Sequence, residues 1–345
     1  MLYRFKDAPD GNYPAASLIQ RNGLLYGTTT GGGKYHAGTV FTVNPATGAE
    51  NVVYSFRGAS AGDGDTPNAL IAVKGVLYGT TSSGGSEGCG TSYAHGCGTV
   101  FELTTAGNER VLSRFKGGGD DHDRDGGHLV AGLTFMNGLL YGTTSGGGRY
   151  RKSVRECLIG CGTVFAISLS GDRYRTLYRF KGGQEDGAEP NATLVENHGT
   201  LYGTTERGGS KAVCEGYTCG TVFRVSTSGS ERVLHHFGTA PDGFFPTGLI
   251  AVDGTFYGTT SLGGPRQQCL SSGCGTVFRI SPAGGDYRVL HAFVVAYKVP
   301  DGVVPVGTLA YLNGVLYGTT YWGKLPPVCY DDVTCGPGTI FKVMP

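Results

Sequence analysis

Leu77-Tyr78-Gly79-Thr80-Thr81, followed after a glycine-rich interval by Gly98-Thr99-Val100-Phe101, decides the reading of this chain, because both strings recur five more times. The first begins again at Leu25, Leu140, Leu201 and Leu316, and Phe256 opens a further copy. The second begins at Gly38, Gly162, Gly220 and Gly275, with Gly338 opening the variant Gly-Thr-Ile-Phe. A third motif, Leu-x-x-Phe, ends at Phe5, Phe115, Phe180, Phe237 and Phe293, and Val53 replaces its leucine in the copy ending at Phe56. A fourth, Asp-Gly-x-x-Pro, starts at Asp10, Asp63, Asp186, Asp242 and Asp301; at Asp125 the copy reads Asp-Gly-Gly-His-Leu. Six copies over 345 residues set a unit of about 57 residues, a period that belongs to repeat architectures.

Each unit reads as four short strands. The first follows the proline (Ala69–Val73, for example) and ends at a two-residue turn: Asn22-Gly23, Lys74-Gly75, Asn137-Gly138, His198-Gly199, Asp253-Gly254 or Asn313-Gly314. Such pairs suit tight hairpins, because Gly and Asn tolerate positive φ. Leu-Tyr-Gly-Thr-Thr is the second strand, Gly-Thr-Val-Phe the third and Leu-x-x-Phe the fourth. Strands apolar on both faces require sheets packed between sheets, which a β-propeller supplies while hiding their edges. The expected fold is therefore all-β, a single six-bladed β-propeller over residues 1–345 with four-stranded blades. The blades are expected at about 12–56, 65–115, 127–180, 188–237, 244–293 and 303–345 plus 1–6. The chain opens on a fourth strand, Leu2–Phe5, and closes on a third, Thr339–Val343. The N-terminal strand is thus expected to complete the C-terminal blade and close the ring.

Composition excludes other classes. With 62 glycines, 15 prolines and only 16% charged residues, the chain lacks the Ala-, Leu-, Glu- and Lys-rich makeup of helical proteins. Twenty Tyr and 16 Phe with a net charge of +1 argue against disorder, and near-neutral charge gives no reason to expect a nucleic-acid partner. No apolar run approaches the length of a membrane helix, so membrane insertion is not expected.

The unit Leu-Tyr-Gly-Thr-Thr…Gly-Gly…Gly-Thr-Val-Phe resembles the GloVer-type tandem repeat of secreted, often surface-anchored bacterial proteins, over essentially the whole chain. The resemblance implies an extracellular propeller and brings no activity with it. On this reading no sorting or anchor segment is expected after Pro345, which would depart from the anchored members.

All ten cysteines lie between second and third strands, in close pairs: Cys89/Cys97, Cys157/Cys161, Cys214/Cys219, Cys269/Cys274 and Cys329/Cys335. Zinc is the rival reading, but the spacings lack a two-residue gap and no repeat adds a matching His pair. Five local disulfides, and hence an oxidising, extracellular or cell-surface location, are the simpler reading. Met1 stands directly on a strand, so export implies a leader already removed.

The Asp-Gly loops and the cysteine loops should emerge at one rim of the sheets, the other rim carrying only tight turns. Function in repeat proteins sits with the variable loops. Asp10, Asp63, Asp125, Asp186, Asp242 and Asp301 on that rim have two readings: a cation or sugar-hydroxyl site, or carboxylates that cap their own turns. Recurrence in every unit favours capping.

Departures from the repeat carry more information. The entry to blade three holds Asp120, Asp121, His122, Asp123, Arg124, Asp125 and His128, and its cysteine loop holds Arg149, Tyr150, Arg151, Lys152 and Arg155. Arg and Lys pair with uronate carboxylates, and a Tyr or His can move the proton that β-elimination requires. His122, His128, Tyr150, Arg149 and Arg155 are the catalytic candidates of a polysaccharide lyase; Arg124, Arg151 and Lys152 would bind substrate. A solvated loop of compensating charges is the plainer alternative. No cofactor is called for, although calcium at Asp120–Asp125 is an option whose spacing matches no known calcium loop.

Aromatics form a second constellation: Tyr13, Tyr35 and His36 in blade one, Phe244 and Phe245 entering blade five, and Tyr321 and Trp322 opening the blade-six loop. Exposed rings stack on the apolar faces of sugars; Trp322 and Tyr35 are expected to line one groove once the ring is closed. Two functions follow: a secreted module, acting as a monomer, that recognises an acidic extracellular polysaccharide on the cysteine-loop rim; or a lyase centred on blade three. A structural or protein-docking propeller is the third. Asn191-Ala192-Thr193 is a glycosylation acceptor only in a host that glycosylates, and Gly31–Gly33 and Gly146–Gly148 lack the strand-to-helix context of a phosphate loop.

Overall fold

The computed structural model describes residues 1–6, 8–14, 16–85, 96–117, 125–148, 157, 159–209, 214, 216–238, 241–265, 273–294, 302–323 and 338–345. Each repeat forms one antiparallel sheet, and the six sheets are the blades of a six-bladed β-propeller. They group into two compact units, one carrying the first three sheets and ending at Arg179, the other starting at Phe180 with the last three.

The second sheet shows the plan: Gly64–Val73, Val76–Gly84, Thr99–Leu103 and Glu109–Arg114, paired in chain order. Its first strand starts before the proline, not after it. The Asp-Gly-x-x-Pro stretch itself pairs with the end of the second strand (Gly64↔Gly84, Asp65↔Ser83, Pro67↔Thr81), and a bulge beyond Pro67 resets the register. Proline tolerates this place because it lies on the sheet edge, where its missing N–H leaves no ladder bond unmade. In repeats one and four the first strand is broken into Gly11–Pro14 and Ile19–Arg21, and into Gly187–Pro190 and Val195–Asn197.

All six predicted hairpins form with positive φ at both turn residues, from Asn22 (49°) and Gly23 (78°) to Lys74 (47°) and Gly75 (95°). Even Lys74 and His198 adopt the left-handed form, as a type I′ turn demands.

A pair of threonines ties every sheet at the opposite end. The second Thr of Leu-Tyr-Gly-Thr-Thr meets the Thr of Gly-Thr-Val-Phe at 2.7–2.9 Å in all six: Thr29–Thr39, Thr81–Thr99, Thr144–Thr163, Thr205–Thr221, Thr260–Thr276 and Thr320–Thr339. Thr81 Oγ1 also donates to the Ser83 carbonyl at 2.7 Å and accepts the Thr99 N–H at 3.0 Å. Its single proton is therefore committed to the carbonyl, and the Thr99 hydroxyl donates to Thr81. The glycine of Asp-Gly lies directly on this pair: a Cβ on Gly64 would drive into the Thr81 side chain.

Ring contacts between consecutive motifs build the core. Phe56 meets Phe101 at 5.1 Å and Phe115 meets Phe165 at 5.2 Å in the first unit; Phe237 meets Phe278 at 5.2 Å and Phe293 meets Phe341 at 4.9 Å in the second. Edge-on and tilted pairs of this kind add about 0.5–1.5 kcal/mol each beyond their buried area. Phe5 repeats the contact on Phe41 at 4.8 Å. This packing is on the first sheet, and the pairing expected between Leu2–Phe5 and the C-terminal strand is not among the described pairings. Residues 1–6 carry no strand, and among the described residues the sixth sheet has three strands, Val303–Leu312, Val315–Trp322 and Ile340–Val343. Side-chain packing and backbone laddering are separable, and only the first is made here.

Thr81→Val strands the Thr99 N–H and removes the hydroxyl bridge at unchanged shape. We expect a loss of about 1–3 kcal/mol, read as a lower urea midpoint at unaltered slope, with Thr81→Ser losing much less.

Candidate functional site

The entry loops and cysteine loops meet at the threonine-paired end of each sheet, as the registers Gly11↔Gly32 and Thr81↔Thr99 require. What the shared residues do there separates them from the variable ones. Asp63, 2% exposed, accepts from the N–H groups of Arg57 (2.9 Å) and Gly64 (2.7 Å) and from the Tyr54 hydroxyl (2.8 Å). Asp10 holds Lys6, Gly11 and Tyr3 in the same way; Asp186 holds Lys181 and Gly187; Asp242 holds Gly238 and Gly243. These carboxylates close their own turns, so the capping reading holds for them; Asp301 lies outside the described residues.

Two residues after each Asp-Gly comes a kink that the sequence did not announce. Tyr13, Thr66, His128, Glu189, Phe245 and Val304 all have φ between 56° and 58°. A non-glycine residue in the left-handed region is uncommon, and for β-branched Thr and Val it is costly. The kink turns the residue's N–H onto the preceding repeat: Thr66 to the Ala37 carbonyl (3.1 Å), His128 to Cys97 (2.8 Å), Phe245 to Cys219 (3.0 Å) and Val304 to Cys274 (2.9 Å). Cys97, Cys219 and Cys274, each the second cysteine of its pair, thus supply acceptors that join one sheet to the next. Cys157–Cys161 and Cys214–Cys219 are disulfides, and Cys97 and Cys274 are also disulfide-bonded, as the pairing predicts. Cys89, Cys269, Cys329 and Cys335 lie outside the described residues.

The side chain at the kink differs in all six repeats. In the first it is Tyr13, 76% exposed and so the most open aromatic ring among the described residues. Tyr35, 46% exposed, follows at the end of Leu24–Gly32, the strand that Tyr13 adjoins through the Thr30 hydroxyl on its carbonyl (3.2 Å). Lys34 Nζ stands 5.2 Å from the Tyr35 ring, and His36 is exposed with φ 62°. Two solvent-facing phenol rings, an ammonium and an imidazole thus share one loop end of the first sheet.

The other aromatics differ from expectation. Phe244 is 6% exposed and packs with Phe237 and the Cys214–Cys219 bridge, because the kink at Phe245 turns its predecessor inward. It is a core residue and not a rim ligand. Trp322 ends the strand Val315–Trp322 and is not in a loop; its ring packs against the cluster of Tyr257, Phe293 and Val303, with Tyr321 edge-on at 5.1 Å. Of this pair only Tyr321 is exposed.

Of the blade-three candidates, His128 alone is described. It is half-buried, its carbonyl accepts from Ser145 N–H (3.0 Å) and Oγ (2.9 Å), and burial pushes its imidazole down from the ordinary histidine range. His122, Arg124, Arg149, Tyr150, Arg151, Lys152, Arg155 and the run Asp120–Asp123 lie outside the described residues. Among the described residues no cluster of His, Cys, Asp or Glu could hold a metal. Asn191 is spent on structure: its amide donates to the Pro246 carbonyl at 3.0 Å.

A polar cluster the sequence did not suggest lies on repeat four, where Arg207 stacks on Tyr217 at 3.8 Å and pairs with Glu189 at 3.2 Å. The signal was present, since Glu189 occupies the variable kink, but its partner came from another strand.

A family model described as the Gloeobacter/Verrucomicrobia repeat matches residues 1–93 and 92–325. No curated protein matches the chain. Among solved structures it is similar to a putative 6-phosphogluconolactonase from Bacteroides uniformis, at 12% identity and a TM-score of 0.52, covering 92% of this chain and 80% of that one. The computationally designed Ika8 protein gives 13% identity and a TM-score of 0.49 over 96% of this chain and 70% of that one. A structure of a nidogen/laminin complex gives 14% and 0.47 over 86% and 85%. At 12% identity the likeness to the first of these is one of fold alone.

The depressed imidazole makes a pH prediction. His128 is expected to titrate below the ordinary value of 6.5, so the stability it lends is present above that value and lost as pH falls through its folded midpoint. An NMR titration of the eight histidines, with His128→Gln for assignment, reads this directly.

Proposed function

As a member of the Gloeobacter/Verrucomicrobia repeat family, this chain is a propeller of repeated blades, and we propose that it works as a secreted carbohydrate-recognising module. Its ligand is an extracellular polysaccharide carrying acidic sugars, held at the loop end of the first sheet. The observation that carries this reading is the pairing of Tyr13 and Tyr35 at that end, exposed where shared residues are buried. Large apolar rings left in water are ready to stack on the C–H faces of pyranose rings. Lys34 beside Tyr35 supplies the charge that a uronate carboxylate would meet.

Buried disulfides suit an oxidising location, and among the described residues no helix is long and apolar enough to cross a membrane. Lyase chemistry has less support. It needs a cation cluster and a mobile proton donor around one sugar, and His128, the one described candidate, is held from both neighbours by backbone hydrogen bonds.

The test is retention on gels carrying polygalacturonate or a neutral glucan. Wild-type protein is expected to be retarded by the first, and Tyr13→Ala and Tyr35→Ala each to weaken retention at least tenfold with unchanged melting temperature. Lys34→Ala should weaken it on the acidic gel alone. No retention on either gel, or retention indifferent to both tyrosines, overturns the proposal; unsaturated uronates absorbing near 235 nm would select the lyase.

A further inference from the structure

In the first, second, third and fifth repeats a residue at the start of the fourth strand faces the aspartate of its own repeat's entry turn. In the second sheet this is Glu109, and its surroundings are short of protons. The Tyr54 hydroxyl lies 2.8 Å from Asp63 Oδ2 and 3.3 Å from Glu109 Oε2. A phenol has one proton and can satisfy only one of the two carboxylates. Asp63 is further satisfied by the N–H groups of Arg57 and Gly64, whereas Glu109 Oε1 is buried with no hydrogen-bond partner among the described residues.

We propose that Glu109, Tyr54 and Asp63 form a proton-held clamp between the first and second sheets, closed while Glu109 is protonated and loosened once both carboxylates ionise. With the proton on Glu109, a carboxylic acid, a phenol and one carboxylate can chain their donors: Glu109 to Tyr54, Tyr54 to Asp63. Without it, two negative groups flank one hydroxyl in a half-buried place. The groups facing Glu109 are Tyr54 from the strand Glu50–Ser55, Asp63 and Arg57 from the entry loop, and Arg114 from its own strand. Arg57 stands 3.5 Å from Asp63 but is half-exposed, so water screens its compensation. Burial first, and then the Asp63 charge, push the Glu109 carboxyl up to about 7.

Repeats within the chain act as controls. Glu50 meets Tyr3 and Asp10 similarly, and burial and Asp10 raise it too. In sheets three and five a tyrosine takes the place: Tyr174 donates to the Asp125 carbonyl at 2.7 Å and Tyr287 to the Asp242 carboxylate. Those copies have no second carboxylate among the described residues, so no acid competes there for the phenol's proton. The loop that the clamp steadies, Arg57–Asp63, borders Ala37 at the end of the Tyr35 loop, so loosening reaches that rim.

The sign follows from the raised value. The unfolded carboxyl ionises near 4.5 and the folded one near 7, so the clamp's stabilisation is full below the first and lost as pH rises to the second. Melting of wild type and Glu109→Gln between pH 5 and 7.5 tests this. The amide cannot ionise, so its melting temperature should gain on wild type by roughly 3 °C across the window. A constant difference overturns the clamp. A second measurement needs no unfolding: carboxyl carbon NMR of protein labelled at glutamate should show one resonance with a midpoint near 7. Tyr54→Phe should lower that midpoint, since it removes the phenol oxygen that accepts the Glu109 proton while the phenol's own proton is held by Asp63. Glutamates that all titrate below about 5.5, or a midpoint indifferent to Tyr54→Phe, refute the proposal whatever the binding experiments show.

Discussion

Two threonine hydroxyls, buried against each other at one end of every sheet, are the constraint from which the remaining shared residues follow. Each pair satisfies a backbone carbonyl where two strands part into a loop, and those at Thr39, Thr99, Thr276 and Thr339 a backbone N–H as well. Leaving either unpaired under the Asp-Gly turn would cost more than an ordinary hydrogen bond gains. The turn must pass close over the hydroxyls, which admits only glycine at its second position. The aspartate before it then closes the turn from outside, Asp63 with two N–H bonds and a tyrosine hydroxyl. Thr, Gly and Asp recur together because one close approach needs all three.

That economy locates what is free to vary. At the kink after Asp-Gly the backbone takes one left-handed form in every repeat, tied at Thr66, His128, Phe245 and Val304 by an N–H bond to the preceding repeat, yet the side chain is Tyr, Thr, His, Glu, Phe or Val. Strain held in a sparsely populated region persists where neighbouring structure over-determines it. Here the inter-sheet hydrogen bond and the proline or leucine that follows do so. A position of fixed backbone and open chemistry is where one blade can be made unlike its neighbours, and in the first repeat it leaves a tyrosine in solvent.

Much of this was legible in the residues. Strand order, the six hairpins, the local cysteine pairs and the loop-bearing end were all implied by repeats whose motifs are strand-length and punctuated by glycine. Three features were not. The first strand's start at Gly64 was hidden because a proline there signals a break, and only the partner strand shows it to be an edge. Trp322 looked like a loop residue because the threonine strand was taken to stop at Thr320; its continuation places the indole on the Phe293 cluster. Phe244 and Phe245 looked equivalent, but a left-handed φ between neighbours sends one inward, and no composition rule foresees which.

The Glu–Tyr–Asp contacts were illegible for another reason: they join residues from two repeats and three segments. Their logic still agrees with the repeat. Where the fourth strand opens with Glu50 or Glu109, the preceding segment offers a tyrosine hydroxyl, Tyr3 or Tyr54, to stand between two acids. Where it opens with Tyr174, the preceding strand carries Ser113, too short to bridge, and the new phenol reaches the turn itself. Where it opens with Tyr287, the partner is His235, stacked on that ring at 3.7 Å and bonded to Asp242 at 3.1 Å. One socket is filled in three ways, each delivering a donor to the same aspartate. The carboxylate sets the demand, and the two residues around it change together to meet it. Only the glutamate solution leaves an acid competing for the donor, and that competition makes an otherwise structural contact responsive to pH.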